Sequence, residues 1–199
     1  TYNSHYIGCK NLVDIFKHKP IKLFIQIGSC VEYGHKKSPQ IENCKTNVKT
    51  LKSTYGKAKL MATNYLLKTN KKYKFPCTIL RLYLIYGTEQ DSNRLISYTL
   101  KECFHNNKFP CSDGNQYRDF LFVEDLIRAI FLCFKNKRSI GHIINIGSGK
   151  PQKIKKVILY IKNKINLGKP MFGKISLRKD EILKLYPSII KAKKILNWK

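Results

Sequence analysis

Short apolar runs of strand length alternate with longer segments of helical periodicity along this chain. Apolar and β-branched residues predict strands at 21–28, 76–86, 117–122, 142–146 and 172–178. Helical spacing predicts helices over 4–18, 53–69, 93–105, 123–135, 152–165 and 187–197. This alternation is typical of parallel βαβ units, so we expect an α/β fold built on a doubly wound parallel sheet.

The net charge raises the question of a nucleic-acid partner. The 199 residues carry a formal charge of +27, but only six of the 39 basic residues are arginines. The lysines are dispersed, whereas proteins that read bases usually concentrate arginine on one surface. We therefore do not expect nucleic acid as the main partner, although the charge should attract anionic substrates.

Membrane insertion and export are not indicated by the sequence. It contains no run of about 18 apolar residues and no basic region followed by an apolar one near Thr1. The seven cysteines are odd in number and include no C-x-x-C pair. They are predicted to be free thiols in a reducing cytoplasm, with no metal site.

A candidate proton-transfer site lies at the end of the first long strand and on the next helix. Tyr55 and Lys59 are four residues apart, which places them on one helix face. An ammonium within about 4–6 Å favours an ionised phenol, so we expect Lys59 to lower the pKa of Tyr55 and make it a better base. Ser29 ends the preceding strand, and Ser followed by Tyr-x-x-x-Lys is typical of hydride transfer at a carbinol carbon.

Several segments, in this order, resemble those of a known enzyme family. They read IGSCVEYG (27–34), STYGKAK (53–59), RLYLIYG (81–87), DGNQYRDFLFVEDLIRAI (113–130), HIINIGSGKP (142–151) and the stretch at 187–198. The chain thus resembles the extended short-chain dehydrogenase/reductase family, the NAD-dependent nucleotide-sugar epimerases and dehydratases. The resemblance implies an oxidoreductase that uses NAD or NADP on a nucleotide-diphosphate sugar, similar to bacterial enzymes making deoxysugars for surface polysaccharides.

The same resemblance implies roles for individual residues. Ser29, Tyr55 and Lys59 would be catalytic, with Tyr55 as the acid or base at the sugar hydroxyl. Tyr55 and Lys59 would also contact the cofactor, Lys59 by holding the nicotinamide ribose. His5 falls where an asparagine commonly contacts the cofactor, with a capping or surface histidine as the alternative.

Two arginines are candidates for the substrate diphosphate. Arg118 would bind it, because a guanidinium forks onto two phosphate oxygens, and Arg178 would be a second contact. The alternative for Arg118 is an ion pair with Asp119 or Asp125 that only holds the fold.

Departures from the family pattern reduce the number of reactions that the chain could catalyse. The 4,6-dehydratases follow the Ser/Thr with an Asp-Glu pair, but Cys30 and Val31 stand there. Without two carboxyl groups there is no acid-base pair for eliminating water, so we expect an epimerase or 4-keto-reductase. Glu32 is displaced by one position and is expected to face away on an extended segment.

The glycine-rich turn that binds a cofactor pyrophosphate is missing. No G-x-x-G-x-x-G or G-x-G-x-x-G occurs, and GSGK (147–150) is interpreted as a turn late in the sheet. Residues 1–88 would be the remaining part of a Rossmann-like NAD(P)-binding domain with its catalytic helix. Residues 89–199 would be mostly a small, mixed substrate-binding region, from which strand 142–146 returns to the main sheet.

The chain is therefore expected to be a fragment without the cofactor-binding half. Its partners would be a nucleotide-diphosphate sugar and a separate N-terminal half chain, or a second copy in a homodimer if the protein is complete. A non-catalytic remnant, or one subunit of a split gene, is the alternative to an active enzyme, ahead of a basic nucleic-acid-binding protein.

Overall fold

The predicted order of helices is present in a computed structural model that describes all residues from Thr1 to Lys199. The helices are α1 (Gly8–Phe16), α2 (Thr54–Tyr73), α3 (Leu95–Phe104), α4 (Val123–Lys135), α5 (Ile154–Ile165) and α6 (Ile190–Leu196). A π-helical turn, Asn3–Ile7, leads directly into α1. None of these helices combines the length and the apolar content that crossing a membrane requires.

Ten strands, most of them short, form four small sheets. They are β1 (Phe24–Ser29), β2 (Cys77–Leu82), β3 (Leu84–Tyr86), β4 (Lys108–Pro110), β5 (Tyr117–Arg118), β6 (Phe120–Phe122), β7 (Ile143–Ile146), β8 (Gln152–Lys153), β9 (Lys169–Met171) and β10 (Lys184–Leu185). The main sheet has the order β1–β2–β7 and is parallel throughout. The carboxyl ends of its three strands therefore lie at the same end of the sheet.

Apolar cores cover both faces of the main sheet. Successive residues of a strand point to opposite faces, so Ile79 packs in a cluster with α1 and α2, whereas its neighbour Leu80 packs with α4 and α6. Both side chains are fully buried. The result is a three-layer α/β/α arrangement, which confirms the predicted fold class.

A third core lies beside these layers. It joins α3, β4 and α5 through buried residues that include Cys103, Phe109 and Ile158.

Strand 142–146, predicted to return to the main sheet, is β7. The division of the chain at residue 88 stays a prediction.

Two predicted strands are each broken in two. The chain leaves the main sheet after Leu82, and β3 pairs instead with β6, so the strand predicted at 76–86 is interrupted at Tyr83. The strand predicted at 117–122 is interrupted at Asp119, opposite that break: the Leu84 amide donates to the Asp119 carbonyl at 3.2 Å. The Asp119 carboxylate accepts the amides of Ser148 and Gly149 at 2.7 and 2.8 Å. It thereby closes the GSGK turn.

The prediction of a strand at 172–178 is wrong. The observed strand β9 ends at Met171, because the chain turns immediately afterwards at Gly173, whose φ is +78°. The short strands β4, β8 and β10 were not predicted, since two or three residues carry no recognisable alternation.

One edge of the main sheet is open. No strand pairs with the outer side of β1, and Ile27 of this edge strand has an exposed side chain. Unpaired strand edges are templates for association with other chains.

We expect the purified 199-residue chain to self-associate through this edge. Light scattering after size exclusion should show more than a monomer, and Ile27→Lys should reduce association because a lysine blunts a strand edge. The matched control is Ile127→Lys, at an exposed apolar position on α4. A pure monomer that melts in one sharp transition would contradict this expectation.

Candidate active site

A cavity of about 860 Å³ opens at the carboxyl end of β1. Its wall includes Ser29 at the end of that strand, Tyr55 on α2, Tyr86 on β3, and Arg94 at the start of α3. Ligands of open α/β sheets bind in such crevices outside the carboxyl ends of the strands. The predicted Ser29 and Tyr55 therefore share one cavity.

Ser29 occupies the junction between β1 and a tight turn. Its side chain caps a 3-10 helix, Cys30–Tyr33, and accepts the Val31 amide at 3.5 Å. The expectation that this segment is extended is therefore wrong. Glu32 is fully buried beneath the turn, because the 3-10 helix rotates it inward to accept the Ser29 amide at 2.8 Å.

Tyr55 lies in the first turn of α2. Ser53 caps this helix by accepting the Gly56 amide at 2.9 Å. Tyr55 lines the cavity and keeps 37% of its surface exposed. The Lys59 ammonium lies 5.7 Å from the centre of the Tyr55 ring, and the His5 ring meets it edge-on at 5.0 Å. The structure thus brings His5, Tyr55 and Lys59 together.

The expected lowering of the phenol pKa is wrong for this structure. Burial raises the pKa of Tyr55, and the neighbouring Ser29 side chain opposes the shift only in part. Lys59 lies over the ring rather than against the hydroxyl, and its ammonium donates to the Ile27 carbonyl at 2.8 Å. Burial also lowers the pKa of Lys59. Burial thus opposes ionisation of the Tyr55 phenol.

The two predicted diphosphate contacts line a second cavity, of about 260 Å³. Arg118 is nearly buried at the end of β5, where it donates to the Tyr117 carbonyl at 2.9 Å and pairs with the Glu181 carboxylate. Arg178 lies in the same wall. Both arginines therefore line one cavity, in which the Arg118 guanidinium is already paired with Glu181.

The predicted alternative for Arg118 named the wrong partners. Asp119 closes the GSGK turn, and Asp125 pairs with Arg128 at 2.9 Å on α4. Glu181, which does pair with Arg118, was missed. It is 63 residues away in sequence, and no local pattern links two such positions.

The two cavities are neighbours. Val31 contributes to both walls, and the adjacent residues Ser29 and Cys30 face one cavity each. The N-terminus of α2 is shared in the same way, through Ser53 and Tyr55. An extended ligand could thus place an anionic group at the arginines and a hydroxyl at Tyr55.

Comparison with known proteins shows matches over most of the chain. The NAD dependent epimerase/dehydratase family matches residues 1–147. A putative UDP-glucose 4-epimerase of Methanocaldococcus jannaschii is 32% identical over 152 residues, which are 74% of this chain and 48% of that protein. CDP-abequose synthase of Salmonella muenchen is 29% identical over 106 residues, which are 52% of this chain and 36% of that protein. The chain thus spans about half or less of the length of these relatives.

Solved structures share the fold. Pal from Bacillus thuringiensis superposes with a TM-score of 0.86 at 25% identity, covering 100% of this chain and 64% of that one. UDP-glucuronic acid 4-epimerase from Bacillus cereus, in complex with UDP-glucuronic acid and NAD, gives 0.86 at 25% identity. That match covers 98% of this chain and 62% of the epimerase.

Because burial raises its pKa, the Tyr55 phenol should ionise above its usual value of about 10. Carbon-13 NMR of ring-labelled tyrosine would follow the titration, with Tyr55→Phe identifying the signal. Ser29→Ala should raise the pKa further, since the serine side chain favours the ionised form. A Tyr55 transition below pH 10 would show that the burial of this phenol is not the dominant effect.

Proposed function

The chain belongs to the NAD-dependent epimerase/dehydratase family, and we propose that it is the catalytic and sugar-binding part of a nucleotide-sugar epimerase or 4-keto-reductase. The observation that carries this proposal is the meeting of Ser29, Tyr55 and Lys59 at the carboxyl end of β1. The product class would be deoxysugars or related sugars for polysaccharides, made in the cytoplasm.

Tyr55 would transfer the proton at the sugar oxygen, while the hydride moves between the sugar carbon and the nicotinamide. In the reducing direction the neutral phenol gives its proton to the keto oxygen as the hydroxyl forms, and in the oxidising direction the phenolate takes that proton back. Ser29, beside Tyr55, would donate a hydrogen bond to the same oxygen. The raised pKa of Tyr55 favours the proton-donating form in this chain.

Lys59, Tyr55 and His5 fit the nicotinamide end of an NAD or NADP cofactor. When bound, NAD or NADP supplies the hydride acceptor or donor. Lys59 and Tyr55 would hold its ribose, with His5 as a further contact, because their side chains converge at the open side of β1. The 199 residues contain no glycine-rich turn for the pyrophosphate. That part of the site would come from a preceding half, on the same chain or on a separate one.

Elimination of water is not part of the proposed reaction. Cys30 stands where a dehydratase needs a carboxyl group, and burial raises the pKa of its thiol to about 11. A neutral thiol and the apolar Val31 do not supply an acid-base pair.

Arg118 and Arg178 would hold the diphosphate of the substrate. A diphosphate offers the paired oxygens that a guanidinium binds best. Glu181 would have to release Arg118 as the anion enters, because both compete for one guanidinium group. Glu181 would therefore lower the affinity of the site for the anion. When no anion is bound, Glu181 would keep the Arg118 guanidinium paired.

Replacing Tyr55 tests the proposed chemistry. In the longer protein that carries both halves, Tyr55→Phe should lower turnover of the nucleotide sugar by about 10²–10⁴-fold, because proton transfer is lost. Tyr73→Phe is the matched control, at the exposed end of the same helix. Unchanged turnover in Tyr55→Phe would refute the role, and failure to bind any nicotinamide cofactor would favour a non-catalytic remnant.

Replacing Arg118 tests the anion site in the 199-residue chain itself. Arg118→Gln should weaken binding of UDP and of inorganic pyrophosphate about tenfold or more in calorimetry, since hydrogen bonds to charged groups are worth about 1.5–3 kcal/mol. Glu181→Gln should tighten both. Arg128→Gln, at an exposed arginine on α4, is the control for lost charge alone. Equal weakening by Arg118→Gln and Arg128→Gln would contradict a specific site.

A further inference from the structure

Glu32 is a buried carboxylate that the proposed chemistry does not use. Its side chain has no exposed surface, and it lies between the end of β1, the middle of α2 and strand β2. A buried charge is costly unless it is paired and hydrogen-bonded. The buried carboxylate of Glu32 therefore depends on an ion pair and on hydrogen bonds.

Both carboxylate oxygens of Glu32 are fully engaged. Oε1 accepts the Ser29 amide at 2.8 Å. Oε2 accepts the Thr63 hydroxyl at 2.8 Å and the Arg81 guanidinium at 2.9 and 3.0 Å. One side chain thus joins the strand end that carries Ser29 to helix α2 and to β2.

The contact on α2 is made on the face that carries the site. Tyr55, Lys59 and Thr63 follow one another at intervals of four residues, so they lie along one stripe of the helix. Anchoring Thr63 fixes the rotation of this stripe about the helix axis. Glu32 thus connects the helix face that carries Tyr55 and Lys59 to the backbone of Ser29.

The carboxylate has little freedom to move. A Cβ at Gly28 would meet Glu32 Oε1 at 2.7 Å and the Arg81 side chain at 3.2 Å, so the backbone of β1 closes one side. The Arg81 guanidinium is itself held against the Tyr33 ring, 4.3 Å from its centre. Burial is the main cause of the raised pKa of Tyr55 and of the lowered pKa of Lys59; the negative charge of Glu32 adds to the first shift and opposes the second.

We propose that Glu32 is a positioning residue that holds Ser29 and the Tyr55–Lys59 face of α2 in register. The proposal deepens the proposed function and rests on it for the importance of that register.

The test compares two buried threonines of α2 in the 199-residue chain. Thr63→Val removes the hydroxyl that binds Glu32, whereas Thr69→Val removes one that binds the Tyr65 carbonyl at 2.8 Å. Thr63→Val should speed hydrogen exchange of the Ser29 amide several-fold relative to the Ile79 amide of β2, and should move the ring carbon signal of Tyr55. Thr69→Val should do neither at comparable stability, and Thr63→Ser should restore both.

The variant Glu32→Gln is a second test of the proposal. The amide cannot accept from both Ser29 and Arg81, so the exchange rate of Ser29 should rise about tenfold or more, and the Tyr55 signal should shift. If Glu32→Gln does not fold, the threonine pair still decides. Equal effects of Thr63→Val and Thr69→Val on Ser29 and Tyr55 would overturn the proposal. Shifts confined to Thr63→Val, in a protein with no turnover, would sustain the positioning role and refute the proposed function.

Discussion

The ion pair between Glu32 and Arg81 is the interaction on which the arrangement of this site depends. Both side chains are almost completely buried, and neither charge could remain there without the other. Because Glu32 lies just after β1 and Arg81 in β2, the pair forms only when these strands are in register and α2 is packed on them. The geometry around Ser29 is therefore tied to the folding of the main sheet.

Other buried polar groups extend this network to the far strand of the sheet. The Tyr33 hydroxyl donates to Asn145 on β7 at 2.8 Å, and Asn145 donates to the Gln40 carbonyl at 2.9 Å. Tyr83, at the break between β2 and β3, donates to the Gln40 side chain at 2.8 Å. Satisfied networks of this kind specify a single packing, since any slip leaves a polar group unpaired. The segment from Tyr33 to Gln40 is thereby held against β7 and the break after β2.

The two ends of the site differ in electrostatics. At the anionic end, the charge of Arg118 is already balanced by Glu181, so an entering diphosphate replaces one anion by another. At the chemical end, burial raises the pKa of Tyr55, and the Lys59 ammonium donates to a backbone carbonyl. The overall charge of +27 attracts anions to the surface, but these local pairs decide where an anion can bind.

Local patterns in the sequence determined the order of the helices and of the three main-sheet strands, the α/β class and the shared helix face of Tyr55 and Lys59. These features depend on the backbone period, which neighbouring residues express directly. The tertiary structure alone decided the strand breaks at Tyr83 and Asp119, the inward turn of Glu32 and the pairing of Arg118 with Glu181. It also decided the direction of the Tyr55 pKa shift. These features depend on burial and on contacts between residues far apart in sequence, and a pattern of neighbouring residues contains neither.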